Sequence, residues 1–143
     1  MTTIAYKDGV IACDGRTTQG GLICSDNSDK RDTRDGVSFF FAGTVTEHQQ
    51  AMDIWFRGDD PECKLDFSAF VVDDEGAVWE FSCGEGGTWR ERVERYGHSA
   101  IGSGSSHALT AMDCGLSARD AVKMASKRDI YTGGRIRTYA IKK

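Results

Sequence analysis

A threonine next to an initiator methionine can supply a nucleophile and its base from one residue. The 143-residue chain opens Met1-Thr2-Thr3-Ile4-Ala5-Tyr6. Removal of Met1, sterically reasonable before a small residue, leaves Thr2 with a hydroxyl and a free α-amine. The unperturbed pKa of such an amine is about 7.7–8.0, so near neutral pH a substantial fraction is unprotonated and can accept the hydroxyl proton. An acid falls close by. Lys7-Asp8-Gly9 separates two short β-prone runs, Thr3–Tyr6 and Val10–Cys13, and Asp-Gly between such runs is the strongest short-range hairpin signal. The hairpin returns Asp14 to the start of the first strand, beside Thr2.

Other reactive residue types fit their usual chemistries less well. The five cysteines (Cys13, Cys24, Cys63, Cys83, Cys114) are odd in number and widely spaced, with no C-x-x-C pair. They read as reduced thiols without a zinc site, and Cys13 as a small buried apolar residue. Ser25-Asp26-Asn27-Ser28-Asp29-Lys30 has the acids of a calcium loop but neither the glycine nor the terminal glutamate at the required offsets, so it reads as a solvated turn. Gly102-Ser103-Gly104-Ser105 is not a nucleophile elbow, because glycine immediately precedes Ser103, and it lacks the lysine of a phosphate-cradling loop. His48 reads as a surface histidine without a partner. His98, with no matching carboxylate, reads as structural. No cofactor and no metal are expected.

The elements that must position this chemistry fit one domain over residues 1–143, long enough to bury a core. Seventeen glycines against one proline indicate tight turns in a β-rich frame. After Gly15–Gly21 a short strand is expected at Leu22–Cys24, then a central strand at Val37–Ala42, apolar on both faces. A helix follows over Thr46–Arg57, capped by Thr44 or Thr46, favoured by Glu47 and stopped by Gly58. Its Met52, Ile54, Trp55 and Phe56 are too much apolar surface for a lone amphipathic face, so part of it meets the sheet or another subunit. Phe67–Val72 and Ala77–Phe81 form a hairpin around Asp73-Asp74-Glu75-Gly76, and Thr88–Tyr96 is an edge strand or connector. A helix over Ser106–Cys114 ends at Gly115. The next, through Ala121–Ala125, is capped by Ser117 with Asp120 three residues on. Gly134–Ile141 is a last strand. A net charge of -4 gives no footprint for nucleic acid. No stretch is apolar enough for a membrane span, nothing at the start resembles a signal peptide, and a cytoplasmic location is expected.

The opening, Thr-Thr-Ile-Ala followed by Asp-Gly-Val-Ile-Ala-Cys-Asp-Gly-Arg-Thr-Thr, resembles that of proteasome β-subunits and the related bacterial peptidase HslV, which are N-terminal-nucleophile hydrolases. Ala42-Gly43-Thr44, Ile101-Gly102-Ser103-Gly104 and Arg128-Asp129-Ile130-Tyr131-Thr132-Gly133-Gly134 extend the resemblance over about Thr2–Thr44 and Ala100–Ile141. It implies an α+β four-layer αββα sandwich, with a reduced helical layer because residues 58–99 leave no room for a second long helix. It implies roles as well. Lys30 follows Asp14 at the family's interval and lowers the pKa of the nucleophile, while Asp14 keeps it charged and oriented. Ser103, Asp129 and Thr132 hold the Thr2 amine. Gly43 N–H serves the oxyanion, a kind of donor worth roughly 3–4 kcal/mol of barrier. Thr18 is a substrate contact, and Phe41 and Val45 fall at the first specificity pocket, which a bulky Phe41 makes shallow.

The expected function is N-terminal-threonine hydrolysis of polypeptide substrate inside a homo-oligomeric ring, with an ATPase unfoldase as a possible partner. Two alternatives stay open at this point: an inactive assembly scaffold in which Met1 is retained, and a small-molecule amidase of the same superfamily.

Overall fold

The computed structural model describes residues 2–43, 45–58 and 60–141, apart from the side chains of Val45, Arg95 and Tyr96. Met1, Thr44 and Asp59 therefore lie outside the described residues. The first hairpin forms where Asp-Gly demands it. Strands β1 (Thr3–Lys7) and β2 (Val10–Cys13) pair with Lys7 opposite Val10, so Asp8 and Gly9 alone make the turn. Both have positive φ, 51° and 75°, the conformation whose twist matches the flanking strands. The same device recurs at Asp35-Gly36, with φ of 51° and 79°. There it joins β5 (Arg31–Arg34) to β6 (Val37–Gly43), a hairpin the sequence analysis did not assign. Between them β3 (Thr17–Gln19) and β4 (Leu22–Ser25) form a separate two-stranded ribbon.

The central apolar run is β6, and it is buried on both faces as its composition requires. It pairs with β7 (Phe67–Val72), which pairs with β8 (Val78–Gly84), which pairs with the edge strand β9 (Gly87–Arg92). The result is a five-stranded antiparallel sheet in the order β5-β6-β7-β8-β9. The other sheet has four strands in the order β10-β1-β2-β11, with β10 at His98–Gly102 and β11 at Arg137–Ala140. Each alternate face of β6 serves a different core. Phe39 and Phe41 point to α1 (His48–Arg57), where Ala51, Met52 and Ile54 close the first core. Phe40 and Ala42 point to the other sheet and meet Ile4, Tyr6, Ile11 and Ile101. The outer face of that second sheet, at Ala5 and Ala12, carries α2 (Ser105–Asp113) and α3 (Ala118–Ser126).

The layers are therefore helix, sheet, sheet and a helix pair, an αββα sandwich with a single helix on one side. Small residues let that pair lie close. Ala108, Ala118, Ala121 and Ala125 are all buried against Ala5 and Ala12. Ser117 caps α3 as expected, its Oγ accepting the Asp120 N–H at 3.2 Å. Lys7 fastens the same end of the pair, at the α2–α3 connection, by donating to the Met112 and Leu116 carbonyls, at 3.2 and 2.9 Å. A cation there also meets the negative end of α2.

Two details differ from the sequence reading, and a third resolves it. Thr46 does not cap α1, because a turn of 3-10 helix over Val45–Glu47 precedes it; Glu47 turns away to accept the Asp66 N–H at 3.0 Å. His98 does have a carboxylate, since its Nε2 lies 2.7 Å from Asp113 Oδ1 at the end of α2. That partner is remote in sequence, and its arrival depends on α2 packing over β10. The aromatic excess of α1 largely meets its own sheet: Trp55 packs edge-on to Phe39, Trp79 and Phe81, with the Arg90 guanidinium 3.9 Å over its ring.

Candidate active site

Thr2 lies at the start of β1, buried where the two sheets meet. The pairing of β1 with β2 brings Asp14 back to it, with Ile4 opposite Cys13 and the Asp14 N–H donating to the Thr3 carbonyl at 3.2 Å. The Asp14 carboxylate accepts three backbone N–H groups: Thr3 at 3.3 Å, Arg16 at 3.3 Å and Gly133 at 3.0 Å. Lys30 completes the group. Its Nζ donates to Thr2 Oγ1 at 2.9 Å and to the Arg16 carbonyl at 2.7 Å, and lies 3.6 Å from Asp14 Oδ1.

This is an ion pair out of water, with the Asp14 side chain 0% and the Lys30 side chain 9% exposed. Burial pushes the Asp14 carboxyl up, against the pull of Lys30 and of its three N–H donors. Burial likewise pulls the Lys30 ammonium down, against the pull of Asp14. Both directions have one cause, the cost of desolvating charge, which the mutual attraction must offset. The positive charge that remains is directed at Thr2 Oγ1. There it favours loss of the hydroxyl proton.

A second network holds the other side of Thr2. Ser103 Oγ reaches the Thr2 carbonyl oxygen at 3.4 Å and donates to Asp129 Oδ2 at 2.6 Å, while Thr132 Oγ1 donates to the same oxygen at 2.7 Å. Asp129 Oδ1 accepts the Tyr131 N–H at 3.2 Å. Burial pushes the Asp129 carboxyl up, but the Ser103 and Thr132 hydroxyls and the Tyr131 N–H outweigh it and hold the group below the usual carboxylate range. Thr3 also belongs to this network, although its type and spacing did not single it out. Its Oγ1 lies 2.6 Å from Thr132 Oγ1. Since Thr132 gives its own proton to Asp129, Thr3 is the donor in that pair. A second threonine in alternation with Thr2, facing a helix rich in small residues, was the available signal.

Two glycines are required by close approach. Gly102 has a φ of 97°, and a Cβ there would collide with the Thr2 carbonyl oxygen. Gly43 has a φ of 130°, and its Cβ would press on the Asp66 carbonyl at 3.0 Å. We expect Gly102→Ala to cost on the order of 3 kcal/mol through forced left-handed strain and displacement of Thr2. Chemical denaturation measures the first effect; an undiminished midpoint would show that β10 can shift to make room.

A cavity of about 60 Å³ opens beside Thr2, lined by Arg16, Thr17, Thr18, Lys30, Phe41, Gly43 and His48. Thr18 and Phe41 both line this cavity beside Thr2, whereas the Val45 side chain lies outside the described residues. His48 corrects the sequence reading: it is packed rather than superficial. Its ring stacks on Phe41, 4.2 Å between centroids, with Nδ1 3.4 Å from Asp32 Oδ2 and Nε2 buried without a hydrogen-bond partner among the described residues. The helical pattern placed it correctly on α1, but its partners Phe41 and Asp32 come from the adjacent sheet and are remote in sequence.

Burial pulls the His48 imidazolium down, and the nearby Asp32 carboxylate does not fully restore it. The unfolded chain then binds this proton first as pH falls. Stability should drop as pH falls from about 6.5 through the lower folded value. The His48→Gln variant should show a flatter loss over that window in pH-dependent denaturation; an unchanged slope would mean that His48 titrates normally.

The acids of Ser25–Lys30 are bonded within the protein. Asp26 pairs with the Arg16 guanidinium at 2.8 Å, and Asp29 Oδ1 accepts the Arg31 N–H and the Tyr139 hydroxyl. No cluster of potential metal ligands occurs among the described residues, and none of the described helices is long and apolar enough to cross a membrane.

No protein-family model matches the chain, and no curated protein matches it in sequence. Solved structures do. The chain superposes on eukaryotic HslV from Trypanosoma brucei with a TM-score of 0.74 and 19% identity, covering 99% of both chains. It matches Thiobacillus denitrificans BPH in complex with epoxomicin at a TM-score of 0.69 and 18% identity over 99% of both. A second structure of that BPH gives 0.66 and 19%, over 99% of this chain and 97% of the other. The fold is thus the α+β sandwich of the HslV and proteasome type.

Proposed function

We propose that the chain is an N-terminal-threonine peptidase of a ring-shaped, self-compartmentalised proteasome-like protease, active once Met1 is removed and acting on peptide bonds of unfolded proteins. The observation that carries this reading is the Lys30 ammonium 2.9 Å from Thr2 Oγ1, with the buried Asp14 behind it. A buried lysine aimed at a hydroxyl is costly to build and has an evident chemical use.

In this mechanism Thr2 Oγ1 attacks the scissile carbonyl. Its proton passes to the Thr2 α-amine, directly or through one water, and Lys30 stabilises the alkoxide as it forms. The oxyanion takes the Gly43 N–H. Collapse delivers the proton from the amine to the departing peptide amine and leaves an ester on Thr2. Water, deprotonated by the same amine, then hydrolyses that ester. Ser103, Asp129 and Thr132 fix the amine, Thr18 aligns the substrate, and Phe41 and Val45 shape the pocket for its side chain.

The first and second hydrophobic cores share β6, and the second and third share β1 and β2, which supports reading residues 1–143 as a single proteasome β-subunit-like domain. The homo-oligomeric ring and a possible ATPase unfoldase come from the resemblance, and the cytoplasmic location from the reading of the cysteines as reduced thiols. One assay tests the reaction. The mature protein is offered fluorogenic peptides and, separately, amides of small metabolites, with and without epoxomicin, the ligand of one structural neighbour. Peptide hydrolysis blocked by the inhibitor is expected. Turnover of metabolite amides alone would make it an amidase, and no turnover by a chain lacking Met1 would make it a scaffold.

A further inference from the structure

We propose that Cys63 and Cys83 form an intramolecular disulfide, a covalent modification site in the five-stranded sheet that joins the segment after α1 to strand β8. The two sulfurs are already in contact, the Cys83 thiol donating to Cys63 Sγ at 2.7 Å. Bond formation at about 2.05 Å therefore needs well under an ångström of movement. Cys83 is 4% exposed, in the core beneath α1, and Cys63 is half-buried against the same core.

The approach of Cys63 does not depend on the sulfurs. Thr88 N–H donates to the Asp60 carbonyl at 3.0 Å, the Asp60 N–H donates to Thr88 Oγ1 at 2.6 Å, and the Cys63 N–H donates to the Asp60 carbonyl at 3.3 Å. Gly87 leaves room for this segment, since a Cβ there would collide with Asp60 and Pro61. Backbone bonds thus fasten residues 60–63 to the β8–β9 turn and bring Cys63 over Cys83. The other three cysteines are placed differently. Cys24 and Cys114 are exposed, and Cys13 is buried in the other sheet.

Closure requires an oxidant, for which a low-molecular-weight disulfide such as oxidised glutathione suffices. The half-exposed Cys63 thiolate attacks one glutathione sulfur, releasing one glutathione thiol and forming a mixed disulfide. Cys83 then loses its proton and attacks Cys63 Sγ, and the second glutathione leaves as a thiolate that takes up a proton. Two cysteine thiols are oxidised and one glutathione disulfide is reduced to two thiols. Burial and the neighbouring sulfur push the Cys83 thiol up to about 12, so this second exchange is the slow one.

The test uses the purified full chain, incubated with oxidised glutathione, alkylated and digested for mass spectrometry. We expect loss of two hydrogens from the intact mass and one cross-linked peptide pair containing Cys63 and Cys83, with the remaining cysteines alkylated. The thermal midpoint should rise on the order of 5–10 °C and return on reduction with dithiothreitol. Cys63→Ser should abolish both the cross-link and the shift. A glutathione adduct persisting on Cys63 while Cys83 is alkylated, or a cross-link between other cysteines, would overturn the proposal. The wild-type measurement stands whether or not the variant folds.

Discussion

Thr2→Ala is expected to lower peptide hydrolysis by roughly 10⁴–10⁶-fold, the usual consequence of deleting a covalent nucleophile. The loss should appear in kcat. The fold should survive, since Lys30 keeps the Arg16 carbonyl and Asp14 as partners when Thr2 Oγ1 is gone. Thr2→Ser keeps the hydroxyl and the amine and should retain measurable turnover. Fluorogenic-peptide kinetics with a thermal melt of each variant separate these outcomes. A Thr2→Ala protein as active as the parent would assign the chemistry elsewhere.

The second large effect concerns the ion pair behind Thr2. Lys30→Met leaves the Asp14 carboxylate buried with three backbone donors but no cation, and Asp14→Asn leaves Lys30 buried with hydrogen-bond partners but no carboxylate. Each single variant should lose about 3–5 kcal/mol of stability, because a buried charge without its counter-charge is expensive. The double variant has no buried charge to compensate and should recover part of that loss. Activity behaves differently: it should be near background in all three, since the double variant still lacks the charge aimed at Thr2 Oγ1. Urea denaturation and peptide assays on the four proteins complete the cycle. Additive stability losses would show that the two groups do not interact, and activity restored in the double variant would remove Lys30 from the chemistry.

The legible parts of this chain are those whose signals are local. Asp8-Gly9 announces its own turn and thereby places Asp14, and the continuous apolar run through β6 identifies a strand buried on both faces. Ser117 and Asp120 mark the start of α3. The Asp35-Gly36 hairpin carried the same local signal and went unassigned because the polar Arg31–Arg34 has no apolar alternation to mark it as a strand. What could not be read locally depends on long-range packing. The Asp113 partner of His98, the stacking of His48 on Phe41 and the contact of Cys63 with Cys83 each appear only when distant segments meet. Lys30 is intermediate: composition alone gives a surface residue, and the resemblance, through its interval from Asp14, points to the site where the fold carries it.

The most direct measurement is the intact mass of the mature protein, taken before and after incubation with a peptidyl epoxyketone. The proposed mechanism predicts a mass lacking one methionine and, after incubation, one inhibitor per chain attached at Thr2, its hydroxyl and its freed amine closing a ring on the reagent. A mature chain that retains Met1 and takes up no inhibitor would contradict it, because the amine would be locked in a peptide bond and Thr2 would have no base of its own.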